Sequence, residues 1–323
     1  MNVLSLFNGM GGAGLALKEL NIKCQIYASE IDKYANQVSN AILPNTINLG
    51  CITKINASDL PKIDILIGGS PCQGFSFVGK MLNFDDERSK LFFEFVRILK
   101  ECQAVNPNVK FLLENVPMEK QCKNHISRLL GIDPVCINSN LVSAQNRKRL
   151  YWTNIGTVKN NMFGFEQIGI QQPKDRFIFL KDVLENDVNK KYYLSEKATN
   201  YVQDIIRIRK KFTALDGDKA LCLTAKGIQN NTGTFITQKG RDNKGGNHYE
   251  KSPAITDPDW QNNNNVSNVR RLTPLEVARL QTIPIWAIEI MLNCGGSDPQ
   301  LYKMLGNGFT VEVIIWILSH LKQ

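Results

Sequence analysis

The sequence predicts a doubly wound α/β fold, a mostly parallel sheet flanked by helices, carrying a smaller β-rich domain. Three observations predict it. Short apolar runs alternate with helical patterns through the first half of the chain. The first run, Val3-Leu4-Ser5-Leu6-Phe7, feeds straight into a glycine turn and then a helix. Residues able to do chemistry stand where apolar runs end, and in a doubly wound sheet ligands bind beyond the strands' carboxyl ends.

In order, Phe7 is followed by Asn8-Gly9-Met10-Gly11-Gly12-Ala13-Gly14 and the helical pattern Leu15 to Leu20. Glycines let a backbone approach a ligand closely, and a helix N-terminus offers free N–H donors. The spacing is not the dinucleotide fingerprint in its usual place, and a structural tight turn suits the same residues. Lys23 to Ser29 reads as the second strand, ending at Glu30. An acid there can accept both ribose hydroxyls of a nucleoside, or it is a solvated surface acid.

Cys51-Ile52-Thr53 precedes the third strand, Lys62 to Ile67, which runs into Gly68-Gly69-Ser70-Pro71-Cys72-Gln73-Gly74-Phe75-Ser76. A thiol on a rigid turn at a strand's end can point at a substrate; a buried structural cysteine is the competing reading. Leu91 to Leu99 has helical apolar spacing and predicts a core-facing helix. Lys110-Phe111-Leu112-Leu113 predicts another buried strand, ending in Glu114-Asn115-Val116-Pro117, so Glu114 stands at a strand end as Cys72 does. Two such groups at neighbouring strand ends say more than either alone.

The segment Gln145 to Ile155 begins basic and becomes a strand. Arg147 and Arg149 share one face of it, alternating with Lys148; a basic edge strand resisting aggregation has the same pattern. From about Pro173 to Pro299 the runs shorten and turn polar. Leu180 to Leu184 reads as a helix closing the first domain. Leu221 to Thr224, Thr234 to Thr237 and Ala254 to Thr256 read as strands. A small β-rich domain with basic and amide side chains suits groove reading of DNA, and other partners too. Thr273 and Pro274 begin a helix with Glu276 in capping-box position. Gly306-Asn307-Gly308-Phe309-Thr310 opens an apolar helix, Val311 to Leu321, that returns to the first domain's core. The domains are therefore 1–185 completed by 300–323, and 186–299.

Composition narrows the classes. With 323 residues there is room for one large and one small domain. A net charge of +9 points to an anionic partner, although basic surfaces also occur without one. Eight cysteines with no Cys-x-x-Cys pair, and only three histidines, argue against a structural zinc centre and for reduced thiols. No apolar run reads as long enough to cross a bilayer, and no signal peptide is evident, which predicts a cytoplasmic protein.

Taken in order, Phe7 to Gly12, Pro71-Cys72-Gln73, Glu114-Asn115-Val116, Gln145 to Arg149, Arg271 to Gln281 and Gly306-Asn307-Gly308 resemble the C5-cytosine DNA methyltransferase family over nearly the whole chain. The length is that of a minimal bacterial or phage enzyme. The resemblance implies transfer of a methyl group from S-adenosylmethionine to carbon 5 of a flipped-out cytosine in double-stranded DNA. Cys72 would be the nucleophile, Glu114 the acid at N3, and Arg149 and Arg147 the holders of the base O2 and nearby backbone. Phe7 would stack on adenine, Glu30 hold the ribose, and Gly9, Met10, Gly11 and Gly12 form the turn that admits the methionine part. Ile31, Cys51 and Ile52 would wall the adenine pocket. Pro71, Leu91, Asn307 and Phe309 would complete the cofactor site. Gln73, Ser76, Arg88, Cys222, Leu223, Thr224 and Arg271 would face DNA.

Two positions depart from the family. Cys51 stands where Asp is common, and Cys222-Leu223 where Thr-Leu is common. The resemblance further implies a monomer acting beside a cognate restriction endonuclease, in phage or host DNA protection, or alone. Three rivals remain. The RNA-methylating branch has a reduced recognition region, whereas the stretch here is full-sized. An inactive regulatory homologue would tend to lose Cys72 or Glu114. A nicotinamide oxidoreductase explains the glycine turn and Glu30 but not Pro71-Cys72.

Overall fold

Strand β1 (Asn2–Leu6) is buried from Val3 onward. It pairs in parallel with β2 (Gln25–Ser29) on one side and β4 (Ile65–Gly69) on the other. In the computed structural model, which describes residues 1–70, 87–156, 158–160, 166–208, 213–224, 233–238, 266–294 and 296–322, these strands belong to a seven-stranded sheet. Its order is β3-β2-β1-β4-β5-β7-β6, with β3 (Ile47–Asn48), β5 (Lys110–Asn115), β6 (Val135–Asn138) and β7 (Lys148–Thr153). Strand β7 runs antiparallel to both β5 and β6. The fold is thus the Rossmann-like α/β class with a small second sheet, as expected. The near-continuous apolar runs of β1, β4 and β5 follow from cover on both faces. The chain order reverses at β1, so the crevice lies beyond the ends of β1 and β4.

Helices α1 (Gly12–Glu19), α2 (Lys33–Ile42), α3 (Glu87–Val105) and α4 (Lys120–Leu130) cover the sheet. Phe92 and Phe95 of α3 are fully buried, so its aromatics serve the core. A hairpin, β8 (Val158–Asn160) and β9 (Glu166–Ile168), leads towards the second sheet. That sheet has the order β10-β13-β12-β11, from β10 (Tyr193–Ser195), β11 (Thr213–Leu215), β12 (Gly233–Thr237) and β13 (Val266–Arg271). It has its own small core of Leu194, Val202, Phe235 and Val269, with Val202 supplied by α5 (Glu196–Ile208). Helices α6 (Pro274–Leu280), α7 (Ile285–Cys294), α8 (Asp298–Asn307) and α9 (Val311–Ser319) follow.

Several expectations need correction. The strand reaching Gly69 is the fourth, because β3, two exposed residues at the sheet edge, carries no pattern to read. Leu180 to Leu184 forms only one tight turn, Leu180–Asp182. The Asp182 carboxylate takes the Phe179 N–H at 2.8 Å, and the Glu185 N–H leaves to Glu276 at 2.8 Å, so helical bonding stops. Leu221 to Thr224 is not a strand, because its donors go to side chains: Leu221 N–H to Thr234 Oγ1 at 2.8 Å and Leu223 N–H to Gln145 Oε1 at 3.2 Å. Thr234 to Thr237 is a strand as expected, and Ala254 to Thr256 lies outside the described residues. Leu272 to Met291, placed by sequence in the small domain, packs in the large core through Val277, Leu280, Ala287 and Met291. The large unit therefore resumes at about Leu272, with α7 against α2 and α9 against α1. Asp298–Ser319 is apolar and long enough to cross a bilayer, contrary to the sequence reading. Its helix breaks over 308–310, and 61% of its apolar window is buried inside the protein.

One join between the units is an ion pair. Arg270 of β13 and Glu276 of α6 are both fully buried, with two parallel bonds of 2.7 Å. Glu276 also accepts the Thr273 N–H at 2.8 Å, completing the capping box seen in the sequence. Such a pair contributes little over an apolar replacement of both partners, but removal of one strands the other's charge. Arg270→Leu should therefore cost about 3–5 kcal/mol in urea unfolding. A loss like that of an exposed pair, about 1 kcal/mol or less, would contradict this.

Candidate active site

A cleft of about 610 Å³ lies beyond the carboxyl ends of β1, β2, β4 and β5. A larger cavity, about 740 Å³, lies under Thr273 and Asp298 and touches neither the glycine turn nor these strand ends. The first is the candidate site.

One wall is the turn after β1. Phe7 takes a left-handed backbone, φ 54°, as do Gly9 and Gly11. For a phenylalanine this conformation costs on the order of 1–3 kcal/mol, and surrounding bonds must enforce it. Asn8 N–H donates to the Ser29 carbonyl at 2.9 Å and Gly9 N–H to Glu30 Oε2 at 2.8 Å. Glu30 Oε1 takes the N–H groups of Ile31 and Asp32, each at 2.8 Å. The acid at the end of β2 thus welds its own loop to the glycine turn. Cys51 and Ile52 form a further side of this half. Cys51 Sγ lies 3.1 Å from Thr53 Oγ1, and that hydrogen bond holds the thiol below its ordinary pKa.

The other half stands on β5 and β7. Glu114 Oε1 meets Arg149 Nε at 2.8 Å, with side chains only 13% and 11% exposed. Burial alone would lower the Arg149 pKa; the charge of Glu114 is the leading opposing effect, and the net direction is upward. Asn115 Nδ2 donates to Ser70 Oγ at 3.0 Å, tying the end of β5 to the residue before Pro71. Gly69 leaves room beside both. A Cβ there would stand 2.9 Å from Glu114 Oε2 and 3.0 Å from the Phe309 ring.

The cleft brings together Glu114, Arg147 and Arg149 with Phe7, Gly9, Glu30, Ile31, Cys51, Ile52, Leu91 and Asn307. Four expected cofactor residues do not line it. Met10 is buried in the core, Gly11 caps α1 against Ser39 and Leu43, and Gly12 packs under Phe309, which supports the cleft from behind. Pro71, Cys72, Gln73 and Ser76, and the Arg88 side chain, lie outside the described residues. Cys222 is half-buried, its sulfur 3.8 Å from Arg147 and 3.7 Å from Arg149. Leu223 is buried, Thr224 is exposed and Arg271 is half-buried at the end of β13.

Sequence reading missed Asp32 and Lys303, which both line the cleft and meet at 2.5 Å. Asp32 had a local signal, since it N-caps α2 by accepting from Tyr34 and Ala35. Lys303 had none, its partner being far away in the chain. Ser29, Ser70 and Met304 were also missed.

A family model described as C-5 cytosine-specific DNA methylase matches residues 1–323. The chain is 28% identical to the orphan methyltransferase M.SPRI of Bacillus phage SPR, over 99% of this chain and 97% of that protein. It is 31% identical to the type II methyltransferase M1.ScrFI of Lactococcus lactis subsp. cremoris, over 97% of this chain and 75% of the relative. It is 30% identical to the type II methyltransferase M.NlaX of Neisseria lactamica, over 99% and 96%. Among solved structures, the S. pombe Dnmt2 methyltransferase matches in fold with TM-score 0.71 at 21% identity, covering 99% of this chain and 98% of that one.

Gly69→Ala should displace Glu114 and Phe309 together, because neither contact is with a freely swinging surface group. We expect a stability loss of about 1–3 kcal/mol in chemical denaturation, as for other overpacked sites. A variant as stable as wild type would show that the strand end is loosely packed.

Proposed function

This chain belongs to the C-5 cytosine-specific DNA methylase family, and from that premise we propose that it methylates carbon 5 of a cytosine within a short target in double-stranded DNA, using S-adenosylmethionine. One observation carries the reading. The Glu114–Arg149 pair shares a cleft with the Phe7–Glu30 turn, and Ser70, bonded to Asn115, leads directly into Pro71-Cys72.

The residues fit the methyl donor. Phe7 presents a ring at the end of β1 for adenine, and Ile52 is an apolar wall. Each carboxylate oxygen has about two lone-pair sites. Glu30 Oε1 already accepts two N–H groups and Oε2 one, so Glu30 has a place at Oε2 for one ribose hydroxyl. Gly9 leaves the approach to the methionine part open, and Asn307 faces the same space from the end of α8. S-adenosylmethionine supplies a methyl group on a positively charged sulfur.

The cytosine chemistry follows from residue types. Cys72, as thiolate, adds to carbon 6 of the flipped base. Glu114 supplies a proton at N3, and Arg149 steadies negative charge on O2. Carbon 5 becomes nucleophilic and takes the methyl group; loss of its proton and expulsion of Cys72 restore the ring. Because Glu114 and Arg149 are paired before the base arrives, entry of the base exchanges their mutual bond for bonds to N3 and O2. The charge of +9 suits a DNA backbone. Kinship with type II and phage orphan methyltransferases favours a role in restriction-modification or phage DNA protection. The same kinship makes a cognate endonuclease the fitting partner, and we place the DNA-reading surface on 186–271.

Bisulfite sequencing of a naive genome expressing the protein should show 5-methylcytosine confined to one short sequence context. Unmethylated DNA despite folded protein would overturn the reading. Glu114→Gln keeps the shape but removes the proton, and should slow single-turnover methylation roughly a hundredfold or more; an unchanged rate would reduce Glu114 to a partner of Arg149. At Cys51 a weak acceptor faces the proposed adenine pocket. Cys51→Asp should tighten S-adenosylmethionine severalfold in calorimetric titration, in line with about 0.5–1.5 kcal/mol for a net hydrogen bond. Equal affinity in wild type, Cys51→Asp and Cys51→Ala would show that this side chain does not read the adenine.

A further inference from the structure

The beginning of β7 is stitched to the segment that leaves β11 of the small sheet. Ala220 N–H donates to the Ala144 carbonyl at 2.7 Å, and Asn146 N–H to the Ala220 carbonyl at 2.8 Å. Arg147 continues the seam with its side chain. Its Nη1 donates to the Leu223 carbonyl at 2.8 Å. Its Nη2 donates to the carbonyls of Gly308 at 2.9 Å and Gly306 at 3.2 Å. Gly306 and Asn307 line the cleft on the side assigned to the methyl donor. Leu223 belongs to the stretch assigned to DNA reading. One guanidinium therefore holds a backbone carbonyl of each binding region.

The cost of this arrangement is unusual for a simple staple. Arg147 is only 4% exposed, and among the described residues its acceptors are carbonyls and a thiol, not a carboxylate. Burial, followed by the charge of Arg149, lowers its pKa. A buried cation held by carbonyl dipoles is sensitive to the position of each one. If the Gly306–Gly308 turn shifts when the cleft fills, Arg147 must follow or surrender a bond, and the Leu223 carbonyl is its other anchor.

We infer that Arg147 is a positioning residue that couples filling of the methyl-donor cleft to DNA binding, by fastening the 306–308 turn to the 222–223 loop. The inference rests on the function proposed above. By linkage the coupling is reciprocal, and couplings of this kind are typically about 5- to 150-fold in affinity. Gln281 supplies an internal contrast. It is buried and donates to the Leu305 carbonyl at 2.6 Å and to the Gly308 carbonyl of the same turn at 3.5 Å, while its Oε1 accepts from Thr310 at 3.0 Å. Among the described residues no hydrogen bond joins it to 220–223, so it supports the turn without reaching the loop.

The test measures binding of a duplex carrying the mapped methylation site, by fluorescence anisotropy, with and without saturating S-adenosylhomocysteine. Wild type should bind DNA at least about fivefold more tightly or more weakly when the cleft is filled. In Arg147→Lys, which replaces the guanidinium's fixed fork with a single compact ammonium, that ratio should fall to about one. Gln281→Leu should weaken S-adenosylhomocysteine yet keep the ratio. A merely structural Arg147 would lower both affinities together and leave the ratio intact, which would overturn the inference. Should Arg147→Lys fail to fold, Gly308→Ala answers the same question. Its Cβ would stand 3.2 Å from the Met304 carbonyl, moving the turn with Arg147 in place. A reduced ratio supports the coupling and an unchanged one overturns it. In wild type, two binary complexes with a ratio of one overturn the coupling alone; failure of either complex to form overturns the proposed function with it.

Discussion

The site depends on one constraint, the antiparallel placement of β7 beside β5. Glu114, the last residue but one of β5, pairs in register with Tyr151, so Arg149 lies two residues back on the neighbouring strand and meets the carboxylate at 2.8 Å. A parallel β7 would have carried the basic end to the opposite edge of the sheet. The antiparallel order instead puts a carboxylate and a guanidinium together where the crevice opens. It also sets Arg147 within reach of both the 306–308 turn and the 222–223 loop. The buried Tyr151 phenol, raised in pKa by burial, stays neutral beneath them.

The half proposed for the cofactor is preorganised differently. There a strained backbone sets the geometry of the turn. Phe7 in a left-handed conformation and the glycines after it are held by donors aimed at Ser29 and Glu30. The rigidity places an aromatic ring and an acid at the ends of adjacent strands without requiring the ligand to order them. Phe309, packed between Gly12 and Gly69, links this half to the catalytic half through the core.

Local chemistry was legible in the sequence and distant partnership was not. The strand ending in Glu114, the glycine turn and the Thr273–Glu276 capping box each announce themselves within a few residues, and each is where expected. Leu221 to Thr224 has strand-like composition, but its donors are taken by Thr234 and Gln145, contacts that no local pattern encodes. The small domain ends short of the sequence expectation because the apolar faces of α6 and α7 belong to the large core. Lys303 and Asp32 meet across most of the chain. For Arg147 the resemblance implies a hold on the base O2 and nearby backbone. Its bonds to three carbonyls are tertiary and carry no sequence mark.

We propose that Cys72, two residues after Ser70 in the chain, attacks carbon 6 of a base held against Glu114 and Arg149. The most direct test is mass spectrometry of the protein incubated with S-adenosylmethionine and duplex DNA carrying 5-fluorocytosine at the target. Fluorine at carbon 5 cannot leave as a cation, so elimination stops. The account predicts a stable adduct of protein, DNA and transferred methyl group, mapped to Cys72 and absent in Cys72→Ala. Full methyl transfer without an adduct, or an adduct on another residue, would contradict it.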